Sequence, residues 1–259
     1  METVDILDLF DLDERRQACY PGMRREGAPP IVRQIDPSGG GSVIIHSELN
    51  AENADGVIRR EIDYFSQLAL DFEWKVFDYD QPQDLECRLE KQGFEVEAAE
   101  AVLVLDLEAR AGLLRPPVSL EVRRVTDART IKDLVSVQNA VWGGDHDWLA
   151  RRLESDLKNA PEALSVYVAY EEDVPVSTGW IRFSTQGRFV SLWGGSTLPA
   201  SRGKGFYTAL VGVRLQEAAE RVFRFATVDA QPLSRPILEK RGFRLLTRAH
   251  ACHWRAPRA

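Results

Sequence analysis

The chain has 259 residues, enough for one large or two small domains, with hydrophobic residues at 44% and charged residues at 28%, ordinary globular values. A formal net charge of −7 argues against sequence-independent nucleic-acid binding, and no apolar run approaches the length of a membrane span. The N-terminal segment is acidic where a secretory signal would be basic, and Cys19, Cys87 and Cys252 are scattered, with neither metal spacing nor a disulfide framework. The expectation is a cytoplasmic protein with free thiols, no metal, no nucleic acid and no membrane partner.

In the first half, Gly41 to Leu49 reads as a strand and Asp55 to Leu68 as a helix, joined by Asn50-Ala51-Glu52-Asn53-Ala54. Asp71 to Asp80 is a second strand. A stretch from Gln81-Pro82 through Lys91 follows, then Gly93-Phe94 and a strand from Ala101 to Leu107. Nothing clearly supplies elements ahead of Gly41. Ala109 to Pro117, with Arg115-Pro116-Pro117, is the natural linker.

The second half is fuller. Val122 to Val125 is a short strand, and Asp127 precedes a helix through Trp142 that Gly143-Gly144 breaks. A second helix runs from Asp147 to Lys158. Strands Ser165–Tyr170 and Val176–Phe183 form a hairpin through Glu171-Glu172-Asp173, read as a solvated turn. A strand follows from Phe189 through Trp193 to Thr197-Leu198-Pro199. Then comes an amphipathic helix to about Glu220, with its apolar face at Phe206, Leu210 and Val213. A strand Phe223–Asp229, a helix Pro232–Arg241, Gly242-Phe243 and a strand Leu245–Trp254 complete the chain.

The halves resemble each other. Leu89-Glu90-Lys91-Gln92-Gly93-Phe94 recurs almost unchanged as Leu238-Glu239-Lys240-Arg241-Gly242-Phe243, and both segments open on Gln-Pro, one residue out of step. Such long-range self-similarity predicts a duplicated unit.

Arg202-Gly203-Lys204-Gly205-Phe206-Tyr207, between a strand and a helix, is the most informative segment. Two glycines there leave main-chain N–H groups unpaired at the positive end of a helix dipole, a site for a phosphate or pyrophosphate. A P-loop is excluded because Gly205, not a hydroxyl residue, follows Lys204. A dinucleotide fingerprint fails at Thr208, where its third glycine belongs, and it expects the first strand of a fold. The remaining patterned reading is [Q/R]-x-x-G-x-[G/A], which Arg202, Gly203, Lys204, Gly205 and Phe206 fit and Tyr207 leaves at the final small position. On six residues alone, a glycine turn with nothing bound stays open.

That pattern resembles the acyl-CoA loop of the GNAT superfamily of N-acetyltransferases. The order of elements from about Glu121 onward, closing on Gly-Phe and a last strand, is similar to that family over about 140 residues. The resemblance implies an α/β fold, a mixed and mostly antiparallel sheet flanked by helices. It implies a GNAT domain over 119–259, preceded by a degenerate GNAT-like domain over 1–112. In the latter, Asn50-Ala-Glu-Asn-Ala lacks the glycine pair, has no Arg or Lys and carries a carboxylate that repels a pyrophosphate.

Further expectations follow from the resemblance. Acetyl-CoA would be the donor, its pantetheine bonded to the main chain at Thr197 and Leu198, its pyrophosphate held by Arg202 to Tyr207, with Ser234 as a polar contact. The strands carrying Trp193 and Asp229 would splay to admit the thioester. A small-molecule amine or a peptide would attack directly, and fusion of two halves favours a monomer. Asp229 is the candidate base, with a turn aspartate ahead of Gln231-Pro232 as the alternative. Asp145 and Asp147 face the acceptor side in the family or cap a helix. Many members carry a tyrosine where this chain has Leu238, which leaves Tyr207, another group or water to protonate the thiolate. The absent tyrosine also leaves open a non-catalytic acyl-CoA-binding or interaction protein. His250 and His253 fall on opposite faces of a strand and cannot share a metal there. Trp180, Trp193 and Trp254 either line an acceptor pocket or pack the sheet.

Overall fold

Residues 3–28, 30–36, 41–109, 120–185 and 187–257 are described by the computed structural model. The expected domain limits at 112 and 119, and the Arg115-Pro116-Pro117 linker, lie outside the described residues. By contacts the chain divides into two units that cut across the segments 1–112 and 119–259. One runs up to Val102 and takes in the chain from Leu245; the other spans Leu103 to Arg244. The last strand, expected to close the second half, therefore belongs to the first unit.

The first unit opens with elements that the sequence did not announce: α1 (Thr3–Phe10), a π-helical turn Asp11–Arg16, β1 (Arg24–Ala28) and β2 (Ile31–Ile35). Arg24-Arg-Glu-Gly-Ala28 has no apolar alternation, so β1 holds only as the partner of β2, pairing Arg24 with Ile35 and Ala28 with Ile31. Then come β3 (Ser42–Ser47), α2 (Ala54–Gln67), β4 (Phe72–Phe77), α3 (Leu85–Lys91) and β5 (Glu95–Val96). β12 (Arg244–Trp254) lies antiparallel beside β4, and the order is β1-β2-β3-β4-β12. Its core gathers Ile44, Ile58, Phe65, Phe72, Trp74, Leu89, Cys252 and Trp254, with the Phe65 and Phe72 rings stacked 4.0 Å apart. Cys252 and Trp254 are thus packing residues. His250 and His253 face Glu86 and Glu97, and no metal-binding group occurs among the described residues.

In the second unit, β7 (Glu121–Arg124) is followed by α4 (Ala128–Trp142) and α5 (Asp147–Asn159). Next are β8 (Leu164–Glu171), β9 (Val174–Phe183), β10 (Phe189–Thr197), α6 (Phe206–Glu220), β11 (Phe225–Ala230) and α7 (Arg235–Lys240). β6 (Glu100–Asp106) lies next to β11, giving the order β6-β11-β10-β9-β8-β7, antiparallel except for β10 with β11. Alternation on β8 supplies both faces. Leu164, Val166 and Val168 pack with Leu134, Leu153 and Trp180, while Ala169 packs with Val176, Phe206 and Leu210.

Three expectations need correction. The hairpin turn is the two residues Glu172 and Asp173, both at positive φ, while Glu171 ends β8 opposite Val174. α7 starts at Arg235, because Gln231 to Ser234 form a turn in which Ser234 N donates to the Gln231 carbonyl at 3.0 Å. Val213 is half-buried on α6, whereas Arg214 beside it is 1% exposed.

Candidate functional site

β10 and β11 pair for three residues, Phe189 with Phe225 through Ser191 with Thr227, and part beyond that point. Two features open them. Between Trp193 and Ser196 the pairing of β10 with β9 slips, which marks a bulge at Gly194-Gly195. Gly194 has φ of +60°, and a Cβ there would meet Trp180 Cζ3 at 1.7 Å, so only glycine serves. The glycine pair inside a strand was the available signal for this bulge, and sequence reasoning missed it.

Arg214, also unforeseen, secures the bulge from α6. Its Nη1 donates to the carbonyls of Trp180 at 3.0 Å and Trp193 at 3.1 Å, and its Nε to Leu210 at 2.9 Å. A Cβ on residue 179 would lie 2.8 Å from Arg214 Cζ, so Gly179 makes the room. Burial lowers its pKa to about 10, with Tyr207 and Tyr167 acting the other way, and among the described residues no carboxylate pairs with it. Gln138 and Thr178 also donate to the Gly194 carbonyl, at 3.0 and 3.2 Å.

Tyr207 packs on the same bulge: a Cβ on Gly195 would meet Tyr207 Cε2 at 2.7 Å. Burial raises the phenol pKa, while Arg214 and Ser234 pull it down, so the hydroxyl stays protonated at neutral pH. The fold thus brings together Tyr207, Ser234, Arg214 and the bulge. Asp229 lies on β11, two residues past the last paired position, and is half-buried. Trp193 is 44% exposed on the opened strand, while Trp180 is buried in the core. Leu238 is fully buried and presents no polar group.

The glycine turn sits at the start of α6. Gly203 and Gly205 have φ of +77° and +94°, and a Cβ on Gly203 would meet nothing within 4 Å. Among the described residues, no acceptor takes the N–H groups of Gly203, Lys204, Gly205, Phe206 or Tyr207. They form an open nest at a helix N-terminus, the arrangement that binds phosphate oxygens. Phe206 offers only its amide, since its ring is in the core. Lys204 is held by Glu171, with Nζ 2.7 Å from Oε1, and Ser201 donates to the same carboxylate at 2.9 Å. Arg202 Nε donates to the Thr197 carbonyl at 3.2 Å. Leu198 N donates to the Val176 carbonyl at 2.9 Å and the Leu198 carbonyl accepts from Ser201 N at 2.9 Å, so both main-chain groups of Leu198 are engaged within the fold. By the alternation of an antiparallel ladder, the Thr197 main chain faces the other way, toward the opened side. Ser234 Oγ donates to the Gln231 carbonyl at 3.1 Å.

Asp145 Oδ1 accepts from Asp147 N, the first residue of α5, at 2.8 Å, while His146 holds the N-cap position. A cavity of about 480 Å³ near Arg124, Ile131, Leu157 and Pro161 includes none of the glycine-turn residues.

No family model and no curated protein matches the chain. Solved structures do match. A GCN5-related N-acetyltransferase from Kribbella flavida is 14% identical and superposes with a TM-score of 0.68, over 99% of this chain and 96% of that one. A tandem GNAT protein from the clavulanic acid biosynthesis pathway is 11% identical, with a TM-score of 0.65 over 99% and 95% of the two chains. A functionally unknown conserved protein from Staphylococcus epidermidis is 12% identical, with a TM-score of 0.68 over 93% and 97%. The chain therefore has the GNAT fold, an α/β architecture with a mixed, mostly antiparallel sheet flanked by helices. At these identities the likeness is one of fold.

Proposed function

We propose that the second unit is an acyl-CoA-dependent N-acyltransferase, with acetyl-CoA as donor and a primary amine as acceptor. The observation that carries this reading is the set of unspent amides from Gly203 to Tyr207 at the start of α6, beside strands that part after Ser191 and Thr227. The neighbours with GNAT names and this fold support it.

In the proposed reaction the amine nitrogen attacks the thioester carbonyl carbon and the carbon–sulfur bond breaks. The released thiolate takes a proton from Tyr207 or water. The amine must first be neutral, and Asp229 or water accepts its proton. The pyrophosphate would rest on the amides of the glycine turn, with Arg202 adding positive charge.

The first repeat, 1–112, is read as a degenerate counterpart. β3 and β4 also pair for three residues, Ser42 with Phe72 to Ile44 with Trp74, and then part. Its turn consumes its own amides: Asn50 Oδ1 accepts from Glu52 N and Asn53 N, and the Asn50 carbonyl from Ala54 N. The amides of Glu52, Asn53 and Ala54 are thus spent within the turn, unlike those of the glycine turn before α6. A cytoplasmic setting suits the three free cysteines; among the described residues, no helix is long and apolar enough to cross a membrane.

Incubating the protein with acetyl-CoA and a panel of amines, and following thiol release, tests the proposal. Turnover with one amine supports it. Leu238 at the tyrosine position favours a second reading, a non-catalytic acyl-CoA binder, which predicts tight CoA binding with no turnover. If neither CoA nor acetyl-CoA raises the melting temperature, both readings fall.

A further inference from the structure

The first unit holds a charged cavity of about 600 Å³, where β3 and β4 part and the π-helical turn crosses them. Its floor is Arg15, 1% exposed, which donates from Nη2 to both Asp80 oxygens at 2.8 Å and from Nε to the Ile45 carbonyl at 3.0 Å. The guanidinium also lies 4.2 Å from the centre of the Phe77 ring. Its Nη1 donates to Asp11 Oδ1 at 2.7 Å, so Arg15 is paired with two carboxylates, Asp80 and Asp11.

Above that pair, His46 and Ser47 line the cavity, each with one buried polar atom that makes no hydrogen bond, while His46 Nε2 faces Glu48 Oε1 at 3.6 Å. His46 is 7% exposed and its Nδ1 is buried without a hydrogen bond; Asp11 Oδ1 is 3.8 Å away. Ser47 is 6% exposed, and its Oγ likewise has no partner. Burial and the charges of Arg15 and Arg16 lower the His46 pKa against the pull of Asp11 and Asp80, which leaves a neutral ring with one nitrogen able to accept.

The lining carries Asp8, Asp11, Glu48 and Asp80 against Arg15 and Arg16, four carboxylates to two guanidinium groups, an excess of two negative charges. Arg16 bonds to Asp11 and Glu48, and among the described residues Asp8 has no ion-pair partner. Leu7, Leu49 and the Tyr79 ring supply apolar wall. An anion is repelled here. A group with several N–H donors and a positive charge is matched by the carboxylates at the rim and by His46 and Ser47 below.

We propose that this cavity binds a small aliphatic primary amine as its ammonium, with a carbon chain lying along Leu7, Leu49 and Tyr79. The cavity has the size of a small-molecule site. It is made entirely of first-unit residues and does not depend on the acyl-transfer reading.

Isothermal titration of the full chain with 1,4-diaminobutane tests this, with 1,4-butanediol and succinate as uncharged and anionic analogues. The expected result is saturable binding of the diamine and none of the diol or diacid. Asp8→Asn combined with Glu48→Gln should weaken the diamine at least about tenfold, the loss of roughly one charged contact. Both side chains are exposed, so the double variant keeps its fold, which near-ultraviolet circular dichroism checks. Absence of diamine binding at about 0.1 mM, a hundredfold above a micromolar Kd, overturns the proposal. So does equal affinity in the double variant, or preference for the diacid.

Discussion

Arg214 Nη1 reaches the Trp193 carbonyl at 3.1 Å, so a fully buried guanidinium on α6 holds the lip of the bulge from which β10 and β11 part. A cation so placed, without a carboxylate beside it, is expensive to bury and is retained by the carbonyls it satisfies.

Arg214→Met should cost about 2–4 kcal/mol in urea denaturation, because the carbonyls of Trp180 and Trp193 lose a buried donor. Arg214→Lys should not rescue it, since a single ammonium does not reproduce the planar fork. Wild-type stability in Arg214→Met would remove the structural role assigned here.

The anion site should respond to Glu171. With Lys204 Nζ bound to its carboxylate, Glu171→Gln frees the ammonium and removes a negative charge near the turn. CoA should bind several-fold tighter in Glu171→Gln, and the difference should shrink at high salt. Gly205→Glu should abolish CoA binding in a titration where Asn53→Glu leaves it intact. Loss of binding in the Asn53 variant would contradict the asymmetry between the two turns.

Gly195→Ala is a probe of Tyr207, because the added Cβ would stand 2.7 Å from Tyr207 Cε2 and push the ring away. Turnover should fall by more than the KM for acetyl-CoA changes. Tyr207→Phe should lower kcat by about 10²-fold if the phenol is the acid. The Tyr207 pKa is raised by burial, so the protonated form persists through neutral pH and is lost as pH rises above the ordinary tyrosine value. The wild-type kcat should therefore fall at high pH with a limb that Tyr207→Phe lacks.

His46 sets a pH dependence of stability in the first unit. Its folded pKa lies below the ordinary histidine value of 6.5, through burial first and the charge of Arg15 next. Below pH 6.5 the unfolded chain then binds more protons than the folded one, so stability declines as pH falls through that window. His46→Gln should flatten this decline between pH 5 and 7, measured as the urea midpoint. An unchanged slope would show that His46 is not the group responsible.

Much of the second unit was readable from local pattern. α6 ends at Glu220, close to where the sequence placed its end, although it is buried on several sides and not amphipathic as expected, and Asp127 caps α4 by accepting from Thr130 N at 2.9 Å. Strand limits on β8 and β9 fell within a few residues because their apolar runs are buried on both faces. β1 and β2 went unseen, since β1 has no periodic apolar face and exists through its hydrogen bonds to β2. The charged cavity escaped notice because Asp11, the segment His46 to Glu48, and Asp80 are far apart in the chain and meet only after folding.

Glycines at 203 and 205, and the run of residue types around them, determined by themselves that a turn with outward amides opens α6. That outcome depends on backbone conformations that few other residues adopt. Which amides remain unspent, that β12 joins the first unit, and that Arg214 lies buried against Trp193 were decided only in three dimensions. Hydrogen-bond partners and burial are properties of neighbours distant in sequence, and no local pattern encodes them.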